Sequence, residues 1–143
     1  MTGWVQFADA RVLRSGVDNN ETVLGMLTVL RYPVDLLAIE KIASYGMPVG
    51  AEVFDTCIWI GRFVQAASDV RHRLIARQAV KVHLCNSVKA KDSNIRQALI
   101  DRFGPVGTKA RPGALYGVKS HAWAALAVAV TAHDDHENYR LAA

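Results

Sequence analysis

Two residues whose side chains could bind a metal ion, Glu40 and His121, occupy distinctive positions in the sequence. Glu40 ends the apolar run 36–40, which has the composition of a buried strand. Burying a carboxylate costs several kcal/mol without compensation, and a metal ion is one such compensation. His121 stands near the start of the small-residue segment 120–129, which is predicted to be a helix. The alternatives are an ion pair between Glu40 and a basic residue at the sheet edge, and a hydrogen-bonding role for His121 at the helix start.

A strongly basic segment lies between these two residues. Residues 71–119 contain 11 Lys or Arg and 2 acidic residues, a net charge of +9. The rest of the chain carries 6 basic and 11 acidic residues, a net charge of −5. Such asymmetry favours a surface that binds nucleic acid. The alternative is a solvated basic surface without such a partner.

The composition is that of one folded domain, expected to span residues 1–143. A hydrophobic fraction of 51% can form one core, and a charged fraction of 21% argues against disorder. No apolar run reaches the length of about 20 residues that a membrane span needs, and the start lacks the pattern of a signal peptide. We therefore expect a cytoplasmic or nucleoid location and no membrane partner. Cys57 and Cys85 lie in apolar helical patterns and are expected to be buried free thiols.

The order of predicted elements indicates an α/β fold, a mixed sheet with helices on its faces. Strand-forming runs at 4–8 and 11–15 predict a hairpin, and Asn19 or Asn20 can cap the next helix. Asp92 or Ser93 is expected to cap the amphipathic helix 94–103. The remaining predicted elements are helix 21–31, strand 35–40, helix 51–68, strand 73–76, helix 78–84, a mobile loop at 106–117, helix 120–131 and a polar tail at 133–143.

Four segments make the chain resemble the RuvC-type Holliday junction resolvase group of the ribonuclease H-like superfamily, and more closely its small phage-encoded members. The hairpin resembles the second and third strands of that group, and residues 36–40 resemble the fourth strand with its catalytic glutamate. Residues 80–96 resemble the basic helical stretch, and residues 116–129 resemble the closing helix. The resemblance covers nearly the whole chain and implies a ribonuclease H-like mixed sheet flanked by helices.

The resemblance also implies hydrolysis of phosphodiester bonds by a pair of Mg²⁺ ions, or Mn²⁺ in their place. It makes Glu40 and His121 the catalytic residues and metal ligands. Ala124 falls where many members carry a second aspartate, so that ligand is absent. The group's central first strand, which bears an essential aspartate, precedes the segment that resembles Thr2-Gly3-Trp4, and this chain shows no such strand. Our hypothesis is that Met1 is an internal methionine of a longer reading frame; the alternative is an inactive relative.

The implied function is a metal-dependent endonuclease for branched or structured DNA, with a role in DNA recombination. Members often act as homodimers, and helix 51–68 is a candidate dimer face. The alternatives are a non-catalytic nucleic-acid-binding module and a structural protein without a nucleic-acid role. For His133, Asp134 and Asp135 a frayed tail is favoured over a metal site. The residues expected to contact DNA phosphates are Arg77, Lys81, Lys89, Lys91, Arg96, Lys109, Arg111 and Lys119.

Overall fold

The computed structural model describes residues 1–30 and 33–142 and has the α/β organisation predicted from the sequence. In chain order the elements are β1 (Thr2–Ala8), β2 (Arg11–Asp18), α1 (Asn20–Val29), β3 (Leu37–Lys41), α2 (Ala51–Ala66), β4 (His72–Ala76), α3 (Arg77–Cys85), α4 (Asp92–Phe103) and α5 (Ala122–Ala142). Every predicted strand and helix is present, and all bounds except the end of the last helix lie within a few residues of those expected. The predicted end of the first helix at Arg31 lies outside the described residues.

The four strands form two separate sheets within the described residues, where the sequence predicted one mixed sheet. β1 pairs antiparallel with β2, and β3 pairs parallel with β4. Asp9 and Ala10 make the tight turn of the hairpin with positive φ angles of 51° and 55°. A parallel pair needs a crossover connection, and here α2 lies in that connection between β3 and β4.

The core forms where α5 packs on the strands and on α3 and α4. Leu99, Leu115, Leu126 and Val130 are its largest fully buried side chains. The helix α5 contacts β1 and β2 as well as β3 and β4, so it holds both sheets in one structure. Its small residues permit this close packing, because little side-chain volume separates the helix backbone from the strands.

Three predicted local features differ in the structure. The polar tail is helical, because α5 continues to Ala142. Helix α4 is capped by Lys91 and not by Asp92 or Ser93, and the Asn94 side chain accepts the Lys91 backbone N–H at 2.8 Å. Cys57 is exposed and Cys85 is half-buried, so the prediction that both thiols are buried is wrong.

The segment 104–121 is compact and is closed by its own hydrogen bonds. The Gly113 N–H donates to the Val106 carbonyl at 2.9 Å, and the Thr108 N–H donates to the Arg111 carbonyl at 3.0 Å. A Cβ at Gly113 would overlap the Pro105 carbonyl oxygen, so only glycine fits this crossing. Residues 106–113 thus form a small hairpin, which we call the small hairpin, and its tip at 107–112 is exposed.

No helix in the described part of the chain is both long and apolar enough to cross a bilayer.

Candidate active site and nucleic-acid interface

Glu40 lies on β3, directly opposite Ile75 of β4 in the parallel register. Its side chain is 36% exposed, so the carboxylate is partly withdrawn from water. The Arg77 guanidinium donates from Nη1 to Glu40 Oε1 at 3.0 Å. Glu40 therefore makes the ion pair with a basic residue that was the alternative to a metal-binding role. A carboxylate in this pair can still bind a cation, but only by exchanging or sharing its arginine partner.

Arg77 is the first residue of α3, immediately after β4, and this position aims it at Glu40 on the neighbouring strand. Its second nitrogen, Nη2, makes a short ion pair with Asp92 at the start of α4. Burial acts to lower the pKa of Arg77, but its hydrogen bonds to Glu40 and Asp92 and their negative charges outweigh burial and raise that pKa. Arg77 thus stays cationic and links β3, α3 and α4.

His121 lies immediately before α5, after Ser120, whose φ of 48° turns the chain into the helix. The His121 side chain is exposed, and its carbonyl accepts the Ala125 N–H at 3.2 Å. Gly3 of β1 crosses directly over this point, and a Cβ there would overlap the His121 carbonyl group. The absence of a side chain at Gly3 therefore sets how closely β1 approaches the start of α5.

Glu40 and His121 line the same cavity, which we call the central cleft. Its volume is about 1840 Å³, and its walls include β1 on one side and β3 on the other. Arg77 and Ala124 also line it. The structure therefore places both predicted catalytic residues at one cavity, although they are 81 positions apart in the sequence.

The described residues do not by themselves make a complete site for a pair of Mg²⁺ ions. Within 1–30 and 33–142, no three His, Cys, Asp or Glu side chains are grouped so that they could hold a metal. Ala124 offers only a methyl group to the cleft, and Glu40 is already paired with Arg77. Mg²⁺ requires near-octahedral oxygen ligands, so two side chains would need waters, substrate phosphates or further protein groups. The metal-binding roles of Glu40 and His121 remain predictions.

The other residues predicted to contact DNA lie on α3, on α4 and in the segments that follow these helices. Lys81 is half-buried on α3, whereas Arg96 on α4 is exposed and stacks on the Trp123 ring at 4.6 Å. Lys109 and Arg111 occupy the exposed tip of the small hairpin. Within the part of the chain described, these cations make no ion pairs, and neither do Lys89, Lys91 and Lys119. The positive charge of these side chains is therefore available to bind phosphate groups.

Asp134 forms a charged cluster that sequence reasoning assigned to a frayed tail. Arg102 of α4 donates to both of its carboxylate oxygens at 2.6 and 2.7 Å, and His83 of α3 approaches it at 2.7 Å. Hydrogen bonding by Arg102 holds the pKa of Asp134 well below its usual range; burial opposes this, and His83 and the charge of Arg102 add to it. The signal in the sequence was the spacing, because Asp134 continues the buried stripe of Leu126 and Val130 by one turn. The cluster ties α3 and α4 to α5.

No protein-family model matches this chain, and no curated protein matches it in sequence. Among solved structures, the chain is similar to Thermus thermophilus RuvC, with a TM-score of 0.55 and 21% identity over 90% of this chain and 82% of that chain. The same values are found for T. thermophilus RuvC in complex with a Holliday junction substrate. At this level of identity the similarity shows the fold, so the predicted RuvC-like α/β fold is confirmed. The narrower resemblance to phage-encoded members stays a prediction.

Proposed function

We propose that this chain is a RuvC-like, metal-dependent endonuclease domain that acts on branched or structured DNA. The observation that carries the proposal is the shared cleft: in a RuvC-like fold, Glu40 and His121 line one cavity next to the basic elements. Branched DNA is the substrate class we assign, because the fold resembles that of a RuvC solved with a Holliday junction substrate.

DNA would be held by the exposed cations of α4, of the small hairpin and of the connection between α3 and α4. Arg96, Lys109 and Arg111 are exposed and have no acidic partner among the described residues. Lys and Arg contacts to phosphates fix the position of a duplex without reading its sequence. Such binding suits a substrate recognised by its branched shape, since it does not depend on base identity.

Metal dependence is proposed from the chemistry of Glu40 and His121. Mg²⁺ in nuclease sites is commonly held by one or two carboxylates together with waters and substrate phosphates. Glu40 can supply one carboxylate oxygen, and His121 a neutral nitrogen if Mn²⁺ replaces Mg²⁺. The same proposal includes a central strand between the hairpin and β3, as the resemblance implies, and the two separate sheets of the described residues support it.

The second candidate function is a non-catalytic module that binds nucleic acid. The Arg77–Glu40 ion pair favours it, because it neutralises the carboxylate that the leading proposal assigns to the metal. This module would bind DNA through the same cations and cut nothing.

A homodimer would suit a four-way junction, which offers two symmetric cleavage points. The exposed side chains of Phe54 and Ile58 on α2, 62% and 61% accessible, support that helix as the dimer face.

Cleavage of an end-labelled four-way DNA junction in Mg²⁺ tests the leading proposal. Because Glu40 and His121 alone do not complete a metal site, we expect cutting only where waters and the phosphates of the junction supply the remaining ligands, and we expect Glu40→Gln to abolish it. Glu21→Gln is the matched control and should cut normally, because Glu21 is an exposed residue of α1 whose side chain does not line the cleft. Salt-dependent binding without cutting by any of these proteins would favour the non-catalytic module. Loss of cutting in Glu21→Gln equal to that in Glu40→Gln would contradict the assigned role of Glu40.

A further inference from the structure

The side chain of Arg96 on α4 lies over the ring of Trp123 on α5, with the guanidinium carbon 4.6 Å from the ring centroid. A cation is attracted to the face of an aromatic ring within about 6 Å, and tryptophan gives the strongest attraction. Trp123 is half-buried and packs against the hydrophobic core. The ring therefore offers a fixed surface that holds an arginine side chain which would otherwise be flexible.

Asp92, one turn earlier on α4, is the acidic residue that would ordinarily pair with Arg96. A carboxylate and a guanidinium four residues apart on a helix are neighbours on its surface. In this structure Asp92 pairs with Arg77 instead, and Gln97 binds Asp101, the other acid of the helix, at 2.7 Å. Within residues 1–30 and 33–142, Arg96 consequently makes no ion pair and donates no side-chain hydrogen bond.

Arg102, also on α4, shows the contrasting arrangement. It lies over the Phe103 ring at 5.3 Å, but its N–H groups bind both carboxylate oxygens of Asp134. Those donors are used within the protein. An aromatic ring holds the flat face of a guanidinium, whereas hydrogen bonds leave from its edge. Arg96 therefore has its face held by a ring while its edge donors stay available to a ligand.

The contact between Arg96 and Trp123 lies outside the central cleft. Trp123 meets α4, whereas Ala124 and Ala125 of the same helix line the cleft. A helix with its side chains is about 10–12 Å across. Consecutive phosphates of one DNA strand are only about 3.4 Å apart along the duplex axis. A phosphate bound at Arg96 would therefore be a different one from any phosphate that enters the cleft.

We propose that Trp123 is a positioning residue, which holds the guanidinium of Arg96 ready to bind a DNA phosphate outside the central cleft. A planar guanidinium can donate two parallel N–H bonds to one phosphate. Because the ring already restricts the arginine, less rotamer freedom is lost when the phosphate binds. Trp123 thus strengthens DNA binding without touching DNA. The inference rests on the proposed binding of DNA, and it holds whether or not the chain cuts.

Binding of a fluorescently labelled four-way DNA junction, measured without divalent metal, tests this role in a double-mutant cycle. The four proteins are the unaltered chain, Trp123→Leu, Arg96→Gln and the double variant. We expect Trp123→Leu to weaken binding by about two- to fivefold, the factor that corresponds to one cation–π contact. In the Arg96→Gln background the same change should have no further effect. Trp123→Phe keeps an aromatic face and should restore most of the lost affinity.

The salt dependence of the same binding separates a stacked arginine from a simple positive charge. Arg96→Gln should reduce the magnitude of the slope of log K against log salt by about 0.9, for one lost phosphate contact. Arg96→Lys keeps the charge and should keep the slope, but it should bind more weakly because lysine lacks the planar fork. Arg11→Gln is the matched control, since Arg11 is exposed on β2, outside the basic segment 71–119 and outside the cleft. Loss of this charge should leave the slope unchanged.

Equal weakening by Trp123→Leu in both backgrounds would overturn the proposal, because a merely structural effect of Trp123 does not need Arg96. Binding by Arg96→Lys as tight as that of the unaltered chain would also overturn it, because a point charge would then suffice. This second comparison decides the matter even if Trp123→Leu fails to fold. Junction binding that none of these variants changes would overturn only this inference. An unaltered chain that does not bind the junction at all would overturn the proposed function as well.

Discussion

Replacing Asp134 by asparagine should destabilise the protein without touching the central cleft. The carboxylate is 17% exposed and accepts two hydrogen bonds from Arg102 and approaches His83. Asparagine keeps the shape and one acceptor oxygen but loses the charge. The change therefore weakens the attachment of α3 and α4 to α5 and leaves the cavity walls intact.

The expected loss is about 1.5 kcal/mol in the free energy of unfolding. Hydrogen bonds to charged groups contribute roughly 1.5–3 kcal/mol each. The value is placed at the low end because Arg102 remains 38% exposed, where solvent screens the pair. For a chain of this size, this loss corresponds to a fall in Tm of roughly 5 °C. Urea denaturation followed by circular dichroism measures it.

The difference in the free energy of unfolding between the protein and Asp134→Asn should become smaller as the pH falls. The folded-state pKa of Asp134 is lowered relative to the unfolded chain. Its contribution is therefore fully present above the unfolded pKa of about 3.9 and is lost as the pH falls toward the folded pKa. We expect the full difference at pH 6 and a smaller one below about pH 4.

Asp135→Asn is the matched control for this prediction. Asp135 makes a single ion pair, with Arg73, and both side chains are well exposed at 38% and 45%. Such exposed pairs contribute about 0.5 kcal/mol or less. An Asp134→Asn protein no less stable than Asp135→Asn, or a difference that grows as the pH falls, would refute the reasoning.

Further changes test the packing, the close approach of β1 and the DNA contacts. Gly3→Ala should cost about 1–3 kcal/mol in the free energy of unfolding, because its Cβ overlaps the His121 backbone. Gly25→Ala should be neutral or stabilising, because Gly25 lies in a helix with open space at its Cβ. Thermal unfolding compares the two variants, and equal effects would contradict the close approach of β1. Leu126→Ala should cost about 2–5 kcal/mol in urea denaturation because it opens a cavity at a fully buried site, and a loss under 1 kcal/mol would place Leu126 outside the core. Replacing Lys109 and Arg111 by glutamine should lower the slope of log K against log salt for duplex DNA by about 0.9 per lost phosphate contact, whereas an unchanged slope would remove the small hairpin from the interface.

The sequence predicted where most strands and helices lie, because each of them carries a local physical signal. The turn residues after β1 and the cap at Asn19, which accepts the Thr22 N–H at 2.8 Å, are both present as predicted. The α/β class followed from the order of those elements, and the RuvC-like fold was implied by the resemblance of four segments to a known group. Local patterns decided these features because short-range sterics and hydrogen bonds determine where strands and helices begin and end.

The sequence was insufficient where long-range contacts decide the structure. The Arg77–Glu40 pair joins residues 37 positions apart, and nothing in either local pattern specifies it. The local sequence around Asp134 indicates a polar tail, because its partner Arg102 lies on α4, 32 positions earlier in the chain. The exposure of Cys57 likewise depends on which face of α2 the rest of the chain covers, and an apolar helix pattern alone does not fix that face.

Cleavage of a four-way DNA junction and of a linear duplex of the same sequence, compared side by side in Mg²⁺, tests the central claim most directly. We predict that the junction is cut, that the duplex is cut far more slowly, and that Glu40→Gln removes the junction cutting. Equal cutting of both substrates, or junction cutting that persists in Glu40→Gln, would contradict a branched-DNA nuclease whose chemistry is located at the central cleft.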